Sequence, residues 1–274
     1  MSILRYPGGK RRLLPVLDAH FRPLLQRSTT YHSVFVGGGS DLLHVARSYP
    51  HVALYANDLD AGIASLWKVV VGSEGYLAAL EAMVRAVRPT VALREEIKRQ
   101  HPEDTVGKAF QTLLVNRTSY SGIYNAGPLG GRNQKGTTKI TDRWNPDRLV
   151  GEMRKARALL RGRLQVASLD AVAYLTAMAE EDPGGPFYCD PPYVEQGRQL
   201  YREVMAAADR ERLAAVLRGV PRWVLSYDEC EEVQRLYSWA SINPVETVYT
   251  TANARGAPTR ARRREVVVVP VKSG

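Results

Sequence analysis

Short apolar runs and longer amphipathic stretches alternate along this chain, and the alternation breaks down only once. Residues 31–36 read as a buried strand, Gly37-Gly38-Gly39 as a turn and 41–49 as a helix. A second strand follows at 52–56, ending at Asn57-Asp58, and a helix at 61–71. Strand, glycine turn, helix and strand in that order predict a βαβ unit with parallel strands. Residues 76–87 and 90–100 read as helices carrying both signs of charge. From 116 to 145 the periodicity fails, and Gly, Asn, Thr, Ser, Tyr and basic residues take over. After Pro146 a basic helix runs to about residue 160. Strands then resume at 164–167, 187–189, 222–226 and 265–269.

The irregular stretch is too long for an ordinary connection inside a compact protein, which points to a functional loop. Tyr120, Tyr124 and Trp144 are interleaved there with Arg117, Arg132, Lys135, Lys139 and Arg143, as a nucleic-acid surface requires. The net charge of the 274 residues is +10. That sign and size favour a polyanionic partner. A further cluster, Arg260, Arg262, Arg263 and Arg264, precedes the last apolar strand and is expected at a sheet end or in a hairpin loop. No apolar run reaches the length of a membrane span, and the first residues lack a signal-peptide core, so a cytoplasmic protein is expected. Two cysteines and five scattered histidines give no metal-ligand spacing, and no metal is expected.

Three groups of residues carry candidate chemistry. Asp190-Pro191-Pro192-Tyr193 follows the apolar run 187–189, where a strand ends. Two prolines cannot continue a central strand, and they hold a rigid turn. An acid, a rigid acceptor carbonyl and an aromatic face then meet at the carboxyl end of a strand, where open α/β sheets bind ligands. Together they can accept two hydrogen bonds from an exocyclic amine stacked on Tyr193. The second group is Phe35, Gly37, Gly38 and Gly39 with Asp58, which follows Gly37 by 21 residues. Glycines let a ligand approach the backbone, and an acid at the end of the second strand suits ribose hydroxyls. Leu42 stands where the dinucleotide pattern needs its third glycine, so a nucleoside without pyrophosphate fits better than NAD. The third group is Tyr6-Pro7-Gly8-Gly9-Lys10, which can bring an ammonium and backbone amides to a carboxylate. Asp170, after the strand 164–167, suits either an adenine amine or a helix N-cap.

The order Tyr6-Pro7-Gly8-Gly9-Lys10, Phe35-Val36-Gly37-Gly38-Gly39, Asn57-Asp58, Asn116-Arg117, Asp190-Pro191-Pro192-Tyr193 and Leu225-Ser226 closely resembles the Dam-like N6-adenine DNA methyltransferases, over nearly the whole chain. The resemblance implies an α/β fold, a Rossmann-like methyltransferase core whose mostly parallel sheet has helices on both faces. It implies a catalytic core at 1–70 and 164–274, and an inserted helical and β-hairpin target-recognition domain at 71–163. S-adenosylmethionine would be the cofactor. Tyr6, Gly9 and Lys10 would hold its methionine end, Phe35 and Gly37 to Gly39 would line it, Asp58 would bind its ribose and Asp170 its adenine amine. Asp190, Pro191, Pro192 and Tyr193 would carry the catalysis, with Asp190 also beside the cofactor. Asn116, Arg117, Tyr120, Arg132, Asn133 and Lys135 would meet double-stranded DNA. A monomer is the expected state, with a cognate restriction enzyme encoded elsewhere as a candidate companion.

Two departures bear on this. The family usually has Glu-Pro before Phe-x-Gly-Gly-Gly, whereas Ser33 and Val34 stand there, which points to weaker cofactor binding. Asn125 replaces the arginine common after Gly-Leu-Tyr, so the GATC specificity of well-known members is not carried over. An N6-adenine RNA methyltransferase and a decayed DNA-binding scaffold remain the alternatives. Intact Lys10, Asp58 and Asp190 weigh against decay.

Overall fold

A computed structural model describes residues 3–5, 10–192, 205–252 and 258–271. For 11, 247–252 and 258–263 it describes the backbone alone. Seven strands form one sheet: β1 (Thr30–Ser33), β2 (Ala53–Asn57), β3 (Leu164–Ala167), β4 (Phe187–Cys189), β5 (Trp223–Asp228), β6 (Ser241–Ala252) and β7 (Pro258–Val269). Their order is β3-β2-β1-β4-β5-β7-β6. The first five run parallel, and β7 is antiparallel to both β5 and β6. From β1 the order runs to β2 on one side and to β4 on the other. The crevice at the carboxyl ends of β1 and β4 is therefore the topological switch point, where such sheets take their ligands.

Alternation along the strands feeds two apolar layers. Val34, Phe187, Cys189, Leu225, Val266 and Val268 pack with α8 (Ala171–Glu181), α9 (Ala207–Leu217) and α10 (Glu231–Leu236). Tyr31, Leu54, Ala56, Tyr188, Val224 and Val267 face the other way, toward α1 (Leu14–Leu25), α2 (Ser40–Ser48) and α3 (Ala61–Val71). Burial on both faces explains why β4 reads as an unbroken apolar run.

Between α3 and β3 the chain adds α4 (Glu74–Ala86), α5 (Val91–Arg99), α6 (Thr105–Thr118) and α7 (Pro146–Leu160). Phe110, Leu113, Leu114, Leu149 and Met153 from this segment join the apolar cluster that holds Trp67 and Tyr31. Trp144 closes it edge-on to Phe110, and its indole donates to the Val87 carbonyl at 3.0 Å. The β-hairpin expected here is not formed. Among the described residues there is one isolated bridge, Ser119 to Pro128, and then turns. Gln134 does what a ladder would have done: its amide donates to the Leu129 and Gly131 carbonyls and accepts from the Ile140 amide.

The long hairpin lies instead at β6 and β7, paired from Ser241–Val269 to Ala252–Pro258. Strand β5 pairs β7 only from Glu265 to Val268, so the half of β7 with Arg260, Arg262, Arg263 and Arg264 overhangs the sheet as a two-stranded arm. Those arginines thus lie within a strand, not in a loop. Among the described residues no single helix is long and apolar enough to cross a membrane.

Candidate active site

Three strand ends are knitted together on one side of the crevice. Asn57, buried at the end of β2, donates to the carbonyls of Val34 (3.2 Å) and Leu169 (3.0 Å) and accepts from the Leu169 amide (2.9 Å). Beside it the Asp58 carboxylate accepts from the amides of Gly37 (2.9 Å) and Asp60 (3.0 Å). The glycine loop rests on Trp67, whose indole donates to the Gly37 carbonyl at 3.0 Å. Gly39 has φ +63°, and a Cβ there would lie 2.4 Å from the Trp67 ring. Only glycine fits, on both counts. Phe35 is half-buried against the layer under α8.

Asp170 caps α8, accepting from the amides of Val172 and Ala173 at 3.1 Å each, and it pairs with Arg212 at 3.2 Å. The N-cap is the role the structure displays. Leu59 and Leu169, large apolar residues at the carboxyl edge, are 53% and 48% exposed. Such positions suit a flat aromatic face. A close-approach glycine loop, a fixed carboxylate and two exposed leucines at one edge fit an adenosine-bearing cofactor.

Across the crevice Asp190 follows β4. Its Oδ1 accepts from the Ser226 hydroxyl at 3.0 Å and from the Lys10 ammonium at 3.2 Å. Since Ser226 donates there, the Tyr188 hydroxyl donates to Ser226, 2.7 Å away. Lys10, 3% exposed, also reaches Glu265 Oε2 at 2.9 Å. The Tyr227 hydroxyl donates to the Pro192 carbonyl at 3.1 Å, which fixes the second proline. Among the described residues, no donor reaches Asp190 Oδ2 or the carbonyl of Pro191. Among the described residues these two acceptors are thus left over, while Oδ1 and the Pro192 carbonyl are both held.

Burial pushes the Asp190 carboxyl up to about 6; Lys10 and the Ser226 hydroxyl pull it down, and the charge of Glu265 adds to the rise. Its side chain is 26% exposed, so the cleft walls produce the effect without enclosing it.

Asn116 and Arg117, expected to meet DNA, bond in this structure to the N-terminal segment. Both lie in the last turn of α6, and both are spent on the N-terminal segment. The Asn116 amide accepts from the Arg5 amide (2.7 Å) and donates to the carbonyls of Arg5 (2.8 Å) and Gly122 (2.9 Å). Arg117 donates to the Ile3 carbonyl through Nε at 2.8 Å and Nη2 at 2.5 Å. Their effect is to clamp the segment that leads to Lys10. Tyr120, Arg132, Asn133 and Lys135 are exposed or nearly so. Buried Arg94 orders the start of that surface by donating to Ser119 (2.7 Å) and to the Ala126 carbonyl (2.8 Å). Tyr6, Gly9 and Tyr193 lie outside the described residues.

Glu265 joins the site without having been expected there. In the sequence its only signal is a lone acid opening a run of four valines. Asn57 likewise proves to be an organiser of three loops.

A family model described as D12 class N6 adenine-specific DNA methyltransferase matches residues 6–251. The Type II methyltransferase M.MjaIII of Methanocaldococcus jannaschii is 23% identical over 211 residues, covering 69% of this chain and 68% of that protein. Among solved structures, a SAM-dependent methyltransferase of Agrobacterium tumefaciens aligns at 11% identity over 96% of this chain and 62% of its own, with a TM-score of 0.43. Another from Anabaena variabilis aligns at 9% identity over 98% and 87%, also with a TM-score of 0.43. Strand order and the glycine loop, not these shape matches, place the chain in the Rossmann-like class.

Proposed function

The chain belongs to the D12 class N6 adenine-specific DNA methyltransferase family, and from that membership we propose how its own residues methylate adenine in duplex DNA. One observation carries the reading: Asp190 Oδ1 and the Pro192 carbonyl are held, while among the described residues no donor reaches Asp190 Oδ2 or the Pro191 carbonyl. An adenine amine has two N–H bonds and a lone pair delocalised into the ring. Accepting both N–H bonds draws the nitrogen toward tetrahedral geometry and localises that lone pair. The positive charge that grows on N6 during attack then lies against an anionic carboxylate already in place. The methylated nitrogen afterwards releases its extra proton to solvent.

Bound S-adenosylmethionine supplies an electrophilic methyl group on a sulfonium. Gly37 to Gly39, Phe35, Asp58 and the exposed Leu59 and Leu169 would hold its adenosine, and Lys10 stands toward its methionine end. N6 is paired inside a duplex, so the target base leaves the stack, and Tyr193 would receive its face. Residues 71–163 serve target recognition, with Tyr120, Arg132, Asn133 and Lys135 toward DNA. The arginine-bearing half of β7 projects from the same edge of the sheet.

Asp190 must be ionised to accept its share of the two N–H bonds and to face the growing positive charge. With its carboxyl raised to about 6, kcat/KM is expected to fall as the pH drops through about 6, not through the ordinary range near 4. A rate profile flat down to pH 5 would contradict this. Arg132→Gln with Lys135→Gln should weaken DNA binding evenly across sequences. It should also lower the slope of log affinity against log salt by about 0.9 for each phosphate left without its cation. An unchanged slope would take this loop off the DNA surface.

The reaction itself is tested with labelled methyl donor on duplex DNA and on RNA, followed by digestion to nucleosides. Label in N6-methyldeoxyadenosine supports the reading. Label confined to RNA, or none in either polymer, overturns it.

A further inference from the structure

The catalytic turn is held at both ends by neighbouring residues of one strand. Ser226 of β5 donates to Asp190 Oδ1 at 3.0 Å, and Tyr227 donates to the Pro192 carbonyl at 3.1 Å. Successive residues of a strand point to opposite faces of the sheet. Ser226 therefore grips the turn from the layer that holds Tyr188 and Val224, and Tyr227 from the layer that holds Leu225. Behind Ser226 stands the Tyr188 hydroxyl, 2.7 Å away. Ser226 is 0% exposed and Tyr188 1%. The fold itself asks little of this pair, since two bonded hydroxyls can give way to apolar groups of the same shape at almost no cost. Alanine and phenylalanine would fill the same places. What only the hydroxyls provide is a chain of donors that ends on the carboxylate.

We propose that Tyr188 and Ser226 are positioning residues, a donor relay that pins Asp190 Oδ1 so that Oδ2 is the oxygen turned to the adenine amine. This rests on the reaction proposed above. A serine hydroxyl has one proton to donate. With that proton on Asp190, its lone pairs are left to accept, and the Tyr188 donor keeps the hydroxyl from turning round. The Lys10 ammonium reaches the same Oδ1 at 3.2 Å, so both described donors meet one oxygen. Tyr227 has the complementary task, holding the backbone just past the Pro191 carbonyl. The relay also favours the ionised carboxyl, against the burial that raises it to about 6. The other titratable groups around it are Lys10, Glu265 of β7 and Cys189 beside it on β4, with Asp41 of α2 beyond Tyr188. Burial pushes Tyr188 and Cys189 well up, so neither titrates near pH 6.

Rates of methyl transfer against pH test this on the intact protein. Taking a donor from an ionised carboxylate raises its carboxyl further, so the acid limb of kcat/KM moves upward. Ser226→Ala is expected to move it by about one pH unit. Above the limb, where the carboxylate is ionised but able to turn, kcat falls on the order of tenfold. Tyr188→Phe alone moves the limb less, and added to Ser226→Ala it moves it no further, because Tyr188 acts through the serine. The double variant leaves neither hydroxyl unmatched, so its melting temperature should lie above that of Ser226→Ala and near wild type. Tyr227→Phe is expected to lower kcat with the limb unmoved. A folded double variant that keeps the wild-type limb would overturn the inference, as would a further shift when Tyr188→Phe joins Ser226→Ala. Tyr188→Phe keeps its ring edge-on to Phe21. An unmoved limb in that variant therefore overturns the relay even where Ser226→Ala is unstable. Wild-type protein that transfers no methyl group overturns the reaction on which this rests; a wild-type limb near pH 6 that no variant moves overturns the inference alone.

Discussion

Replacing Asp190 with alanine is expected to lower methyl transfer by about 10³-fold or more, with S-adenosylhomocysteine still bound within a few-fold of wild type. A single preorganised group facing developing charge is worth about 10²–10³ in rate, and here one carboxylate also holds the amine in place. The fold should survive the change, because Lys10 keeps Glu265 and the Pro192 carbonyl keeps Tyr227. The neutral thioether is the right binding control, since loss of the carboxylate also removes a charge that favours the sulfonium. Turnover within tenfold of wild type, measured by label transfer to DNA, would remove Asp190 from the central role.

Gly39→Val is expected to cost several kcal/mol and to erase cofactor binding. A β-branched residue at φ +63° is strained by roughly 1–3 kcal/mol. A Cβ only 2.4 Å from the Trp67 ring adds overpacking of about 1–3 kcal/mol. Moving Trp67 aside also breaks its bond to the Gly37 carbonyl, and Gly37 is the residue whose amide holds Asp58. Thermal unfolding with and without S-adenosylhomocysteine reads both effects: the melting temperature drops and the shift on adding ligand disappears. Gly136→Ala, where a Cβ meets nothing within 4 Å, is the control and should change neither. A full ligand-induced shift in Gly39→Val would mean that the glycine loop does not hold the cofactor.

What is legible in the sequence follows burial. Strands β3 and β4 and helix α3 stand where the sequence predicts; β4 and α3 are buried over nearly their whole length. Strand β1 is assigned to Thr30–Ser33, yet the amides of Val34 and Val36 still bond to the Tyr188 and Asn57 carbonyls, so its pattern overruns the regular ladder only slightly. Helix α6 leaves little trace in the sequence because it is buried nearly all round, from Ala109 to Asn116, and such a helix shows no amphipathic period. The first half of β7 is hidden for the opposite reason: Pro258 to Arg264 contain no apolar run to mark a strand.

The site divides in the same way. Residues at strand ends, Asp58 and Asp190, are readable from local pattern. Partners far apart in sequence are not, as with Glu265, which lies 255 positions from Lys10. Family order reads Asn116 and Arg117 as DNA-binding residues, but the geometry spends them on residues 3–5. Ser33 and Val34, the departure expected to weaken cofactor binding, are both fully buried in the sheet.

The central claim is that ionised Asp190 and the Pro191 carbonyl present adenine N6 in duplex DNA for methylation. It is tested most directly by sequencing adenine methylation in DNA from methylation-deficient cells that express this chain or its Asp190→Ala variant. N6-methyladenine at one short motif with the wild-type chain, and none with the variant, is the predicted result. Methylation that persists with the variant, or its absence with soluble wild-type protein, would contradict the account.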